Sequence, residues 1–177
     1  LNIKRSKRGN KATPNLSIAG SDCSGGAGIQ ADIKTISALG GYAASVITAV
    51  TAQNTLGVQS VYPIPVDMVK AQITSVMDDL RPDAVKIGMV YDAGIVTTIV
   101  DCLQTYTPEC IVYDPVMIST SGRRLMTEET IQVIKTELFP LCTLITPNQW
   151  VGKSTSLSKS YRTTMQIAYA AYSLIED

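Results

Sequence analysis

Apolar and polar positions along this chain change period repeatedly, from the alternation or continuity of strands to the three-to-four spacing of helices. Leu16–Ala19 is a short apolar run that predicts a strand. From Ile29 the apolar side chains recur at Ile29, Ile33, Ile36 and Leu39, one face of a helix. Residues 43–52 are rich in Val, Ile and Thr and predict a buried strand, with a shorter one at Val58–Tyr62. Pro63 and Pro65 punctuate. Asp67 is then placed to cap a helix carrying Met68, Ile73, Val76, Met77 and Leu80 on its apolar side.

The second half repeats the scheme. Ala84–Met89 predicts a strand, and Ala93–Leu103 a helix opened by Asp92. Cys110–Tyr113 is a strand, Glu128–Phe139 a helix capped by Thr127, and Leu144–Thr146 a last strand. Acidic Glu128 and Glu129 fall at the positive end of their helix. Strands alternating with helices predict an α/β fold of three layers, a mostly parallel sheet with helices on both faces. Ligands of such sheets bind beyond the carboxyl ends of the strands.

Composition narrows the class. The 177 residues are 45% hydrophobic, enough for one core, and 15 basic residues balance 15 acidic ones. This balance offers no overall field for nucleic acid or an anionic membrane, so neither is expected as a partner. Lys4, Arg5, Lys7, Arg8 and Lys11 are the exception, and residues 1–14 are expected to be a disordered or foreign basic leader. No apolar run reaches the about 20 residues of a membrane span. The four cysteines form no C-x-x-C pair and histidine is absent, which excludes the usual zinc sites. Scattered thiols of this kind suit a cytoplasmic protein.

Between Ala19 and Ile29 lies Gly20-Ser21-Asp22-Cys23-Ser24-Gly25-Gly26-Ala27-Gly28, a strand-to-helix loop of glycine and small polar residues. Glycine lets a backbone approach a ligand closely, and a helix start offers unpaired N–H groups. The loop is neither the dinucleotide fingerprint nor the Walker pattern, and by spacing alone its ligand stays open, as does a purely structural turn. Three further segments follow predicted strands. Gly88-Met89 offers a turn and a soft apolar surface, or simply a core methionine. The Gln53 amide can present donor and acceptor to a heteroaromatic edge, with a turn-forming Asn54 as the bland alternative. Asp114 suits Mg²⁺ or its hydrating water, or caps a loop.

The segment Ile18–Asp32 resembles the N-terminal signature of hydroxymethylpyrimidine/phosphomethylpyrimidine kinases of thiamine biosynthesis, in the ribokinase-like superfamily. The likeness continues through Ser45–Ala49, Ala52–Thr55, Lys86–Met89, Asp114–Met117 and Leu144–Asn148. It implies ATP-dependent phosphorylation of 4-amino-5-hydroxymethyl-2-methylpyrimidine and its monophosphate, with ATP and Mg²⁺ as cofactors. It also implies a small-molecule partner and a homodimer in the intact parent. A pyridoxine or pyridoxal kinase, or a non-catalytic pyrimidine-binding fragment, is the alternative. By this resemblance Gly20 lies against the ring, Asp32 and Gln53 hydrogen-bond its polar edge, and Thr51, Met89 and Val116 form walls. Asp114 serves the Mg²⁺-phosphate region, and Asn148 lies near the nucleotide phosphates.

After Asn148 the likeness weakens. Val151 stands where the family commonly has a metal-organising glutamate, and a valine cannot ligate a metal. The family's lysine-glycine-glycine strand and G-T-G-C anion-hole loop are not found before Asp177. Residues 15–177 are therefore expected to be the N-terminal part of a single kinase domain, incomplete on its C-terminal side and inactive by itself, with no catalytic residue of its own.

Overall fold

In the first strand, β1 (Pro14–Ala19), Leu16 and Ile18 alternate with Ser17, and the two sets face different layers of the molecule. The computed structural model describes residues 14–116 and 126–146. After β1 come helix α1 (Gly28–Ala38), strands β2 (Tyr42–Ile47), β3 (Ala49–Asn54) and β4 (Gly57–Pro63), and helix α2 (Val66–Asp79). Strand β5 (Ala84–Ile87), helix α3 (Ala93–Tyr106), strand β6 (Cys110–Tyr113), helix α4 (Glu128–Val133) and strand β7 (Leu144–Ile145) follow among the described residues.

Among the described residues five strands pair in parallel in the order β2-β1-β5-β6-β7. Register aligns Leu16 and Ile18 with Ala44 and Val46 on one side and with Val85 and Ile87 on the other. Ile111 and Tyr113 extend the same rows on β6. This face meets Val69 and Ile73 of α2, Ile95 and Ile99 of α3, and Ile131 of α4 in one buried core. The opposite face carries Ser17 and Lys86, whose side chains reach Asp32 of α1. Helices therefore cover both faces, and α1 packs on β1 and β2. Among the described residues no helix is long and apolar enough to cross a membrane.

Several elements differ from the expectation in instructive ways. The single strand expected over residues 43–52 is two. At Thr48 the main chain turns out of the parallel sheet, its N–H donating to Ala19 O at 3.0 Å while its carbonyl accepts from Ile64 N at 3.0 Å. Its hydroxyl donates to the Met89 carbonyl at 2.7 Å. From there β3 and β4 form a separate antiparallel hairpin with a register shift between Ala52 and Gln53. Apolar composition alone cannot signal such a break, because both halves bury alternate residues.

Asp67 lies in the first turn of α2 rather than at its cap, which is Pro65. Asp92 and Thr127 do cap their helices, accepting from Ile95 N and Thr130 N. The expected Glu128–Phe139 helix widens into a π turn over Ile134–Leu138 and tightens into a 3-10 turn over Phe139–Leu141. Pro140 lacks the N–H needed to continue the α-helical ladder. Leu39, expected on the apolar face of α1, is 84% exposed, so only the start of that stripe is buried.

Candidate functional site

The carboxyl ends of β1, β5 and β6, the glycine-rich loop and the inner face of the β3–β4 hairpin enclose a cavity of about 360 Å³. That is within the range of small-molecule sites. Gly20, Asp32, Thr51, Gln53, Met89, Asp114 and Val116 all line it. Asn148 lies outside the described residues. Gln53 reaches the cavity from the hairpin, not from the end of a parallel strand as its position after an apolar run had implied.

The loop is bonded to itself. The Asp22 carboxylate accepts from the Ser24 amide and hydroxyl at 2.9 and 2.7 Å, and from the Gly26 and Ala27 amides at 3.0 and 2.8 Å. Burial alone would push this carboxyl up, but these donors outweigh it and hold it below its ordinary range. Gly28, at φ +55°, closes the turn where a Cβ would lie 2.3 Å from the Gly20 carbonyl oxygen. At Gly20 itself a Cβ would meet the Met89 methyl at 2.4 Å, so the missing side chain is what lets Met89 occupy that wall.

Hydrogen bonds tie the hairpin to the loop. Thr51 Oγ1 donates to the Ser21 carbonyl at 2.8 Å, and Thr51 N donates to Ser21 Oγ at 3.1 Å. The Cys23 thiol donates to Gln53 O at 2.9 Å and accepts from Gln53 N at 3.2 Å. The Gln53 backbone is thus fixed at the cavity rim, while the Thr51 hydroxyl serves the scaffold. Thr51 also lines the cavity.

Charge collects on the floor. Lys86 Nζ lies 2.9 Å from Asp32 and 4.0 Å from Asp114. Burial raises the Asp114 carboxyl above its ordinary range, with Lys86 offsetting part of that effect. Thr146 Oγ1 approaches Asp114 at 3.5 Å. Among the described residues no three histidine, cysteine, aspartate or glutamate side chains form a metal cage. A lone carboxylate such as Asp114 nevertheless fits a hydrated Mg²⁺, which takes one or two carboxylates and completes its shell with phosphate and water.

Sequence reasoning missed Lys86, Ser17 and Asp22. The signal for the first two was present, as polar residues interrupting buried runs. Nothing local indicated that Asp22 would turn back onto its own loop.

A family model described as phosphomethylpyrimidine kinase matches residues 22–176. The chain is 52% identical over 133 residues to the hydroxymethylpyrimidine/phosphomethylpyrimidine kinase of Escherichia coli (strain K12), covering 75% of this chain and 50% of that protein. It thus spans about half the length of the bacterial kinases it matches. A crystal structure of phosphomethylpyrimidine kinase from Clostridium difficile 630 aligns with a TM-score of 0.73 and 53% identity, over 77% of this chain and 59% of that one. Pyridoxal kinase of Bacillus subtilis, solved as an ADP complex, aligns with a TM-score of 0.71 and 34% identity, over 79% and 52% of the two chains.

Proposed function

Because the chain belongs to the phosphomethylpyrimidine kinase family, we propose that its cavity holds 4-amino-5-hydroxymethyl-2-methylpyrimidine, and in turn its monophosphate, for phosphorylation by ATP in thiamine diphosphate biosynthesis. The supporting observation is the convergence of Gly20, Asp32, Thr51, Gln53, Met89, Asp114 and Val116 on one cavity. The ring lies between the Met89 and Val116 walls. The Gln53 amide offers a donor and an acceptor to the ring edge, and the Asp32 carboxylate accepts from the amino substituent. Buried polar partners of this kind reject rings that cannot match them more strongly than apolar walls do.

ATP supplies the transferred phosphoryl group, and Mg²⁺ would neutralise its charge beside Asp114. Asn148 is assigned to the nucleotide phosphates. Gly20 gives way to Met89, so the ring is gripped by a soft apolar side chain. A homodimer is also part of the reading, supported by the outer face of the hairpin. There Val50 and Tyr62, register partners, are 46% and 67% exposed, and Leu56 at the hairpin turn is 87% exposed. Free thiols, Cys23 among them, suit the cytoplasm.

A pyridoxal kinase reading draws on the Bacillus subtilis structure but rests on lower identity, 34% against 53%. Coupled assays of the intact protein with each alcohol separate the two. Pyrimidine turnover well above that of pyridoxal is expected, and the reverse order would overturn the substrate assignment.

A further inference from the structure

Asp32 is held from two sides by strand residues. Ser17 Oγ donates to Oδ2 at 2.6 Å, and Lys86 Nζ donates to Oδ1 and Oδ2 at 3.0 and 2.9 Å. Ser17 and Lys86 are register partners on neighbouring strands, on the sheet face opposite the one that buries Leu16, Ile18, Val85 and Ile87; Ser17 is fully buried and the Lys86 side chain is 28% exposed. Sheet packing alone gives no reason for a fully buried hydroxyl at Ser17, since a buried polar group without a partner is costly. The fold also makes room for the ammonium. A Cβ on Gly88 would lie 3.1 Å from Lys86 Nζ and 3.0 Å from the Ala19 methyl.

An ionised carboxylate has about four acceptor positions. Ser17 and Lys86 take three of those on Asp32, which also lines the cavity. One position is left for a ligand.

We propose that Ser17 and Lys86 are positioning residues that lock the Asp32 carboxylate with one acceptor position facing the ligand, making the cavity selective for heteroaromatic rings that carry a hydrogen-bond-donating amino group. This rests on the reading of the cavity given above and adds Ser17, which is outside the cavity lining and acts through Asp32, and Lys86, which holds Asp32 while also lining the cavity. A ring without the amino group leaves the locked acceptor unpaired against the ring. A carboxylate free to rotate would instead turn to water and lose that discrimination. Selectivity therefore depends on the lock as well as on the acid.

Calorimetric titration of the 177-residue chain with the 4-aminopyrimidine, and with the analogue bearing hydrogen in place of the amino group, gives a ratio of dissociation constants. The ratio is expected to be at least about tenfold in the unsubstituted chain, the scale of one net hydrogen bond. It should fall below about threefold in Ser17→Ala and Lys86→Met. Ser17→Thr keeps the hydroxyl and should keep the preference. If Lys86→Met does not fold in thermal melts, the Ser17→Ala and Ser17→Thr pair carries the test. A ratio unchanged in Ser17→Ala but abolished in Asp32→Ala would overturn the positioning roles and leave the cavity reading standing. A ratio near one in the unsubstituted chain, or no binding of either compound, would overturn both.

Discussion

The Asp22 carboxylate accepts the Ala27 amide hydrogen at 2.8 Å, placing an acid of the loop in the cradle formed by the loop's own N–H groups. A glycine-rich loop before a helix is a ready anion site when its amides point outward. Here the amides of Ser24, Gly26 and Ala27 already have their anion. The loop forms a wall of the cavity, and these three amides are not open to an external anion.

Asp22→Ala should therefore lower stability by about 1.5–3 kcal/mol, the scale of hydrogen bonds to a charged group. The carboxyl is depressed in the folded state from 3.8, so its contribution is complete above the unfolded value and is lost as pH falls through the folded one. Urea melts of both proteins from pH 7 downward should converge only in strongly acid solution. A gap that stayed constant down to pH 3 would contradict the assignment.

Two glycines separate cavity shape from backbone strain. Gly20→Ala forces only the flexible end of Met89 to move, so stability should fall by about 1 kcal/mol or less while the cavity narrows. Gly28→Ala places a Cβ at positive φ against a main-chain carbonyl and should cost about 2–4 kcal/mol. Paired thermal melts and ligand titrations should show the first variant folded with weakened binding, and the second destabilised.

Thiol labelling should be ordered by environment. Cys23 is exposed, whereas burial raises Cys102 and pushes Cys142 up to about 12. Iodoacetamide at pH 8 should modify Cys23 first and reach Cys102 and Cys142 only on denaturation, as peptide mass mapping would reveal. Because the Cys23 thiol bonds both backbone groups of Gln53, the labelled protein should bind ligand more weakly.

Tyr113 presents the opposite case to Asp22. Its hydroxyl is buried, has no hydrogen-bond partner among the described residues, and burial raises it far above its ordinary range. Its ring packs against Phe139 with centroids 5.9 Å apart. Tyr113→Phe keeps the ring and removes the orphaned hydroxyl, so stability should be unchanged or rise by about 1 kcal/mol. A clear loss in chemical melts would indicate a partner for this hydroxyl.

Periodicity made the parallel sheet legible because Leu16, Ile18, Val85, Ile87 and Ile111 lie in short apolar runs separated by capped helices. Caps such as Asp92 and Thr127 were readable for the same local reason. The hairpin was not, since the turn at Thr48 is set by contacts with Ala19, Ile64 and Met89 that no local pattern encodes. The cavity residues were legible only through resemblance of their motifs, as residue type alone left Asp114 and Gln53 with ordinary loop roles. Lys86 and Ser17 acquire meaning only once register places them side by side beneath Asp32.

Titration of 4-amino-5-hydroxymethyl-2-methylpyrimidine into the chain and into its Gln53→Ala variant tests the assignment of the cavity most directly. One molecule should bind per chain, and the folded variant should bind about tenfold or more weakly, the cost of leaving a buried polar edge unpaired. Absence of binding, or equal affinity in the two proteins, would contradict it.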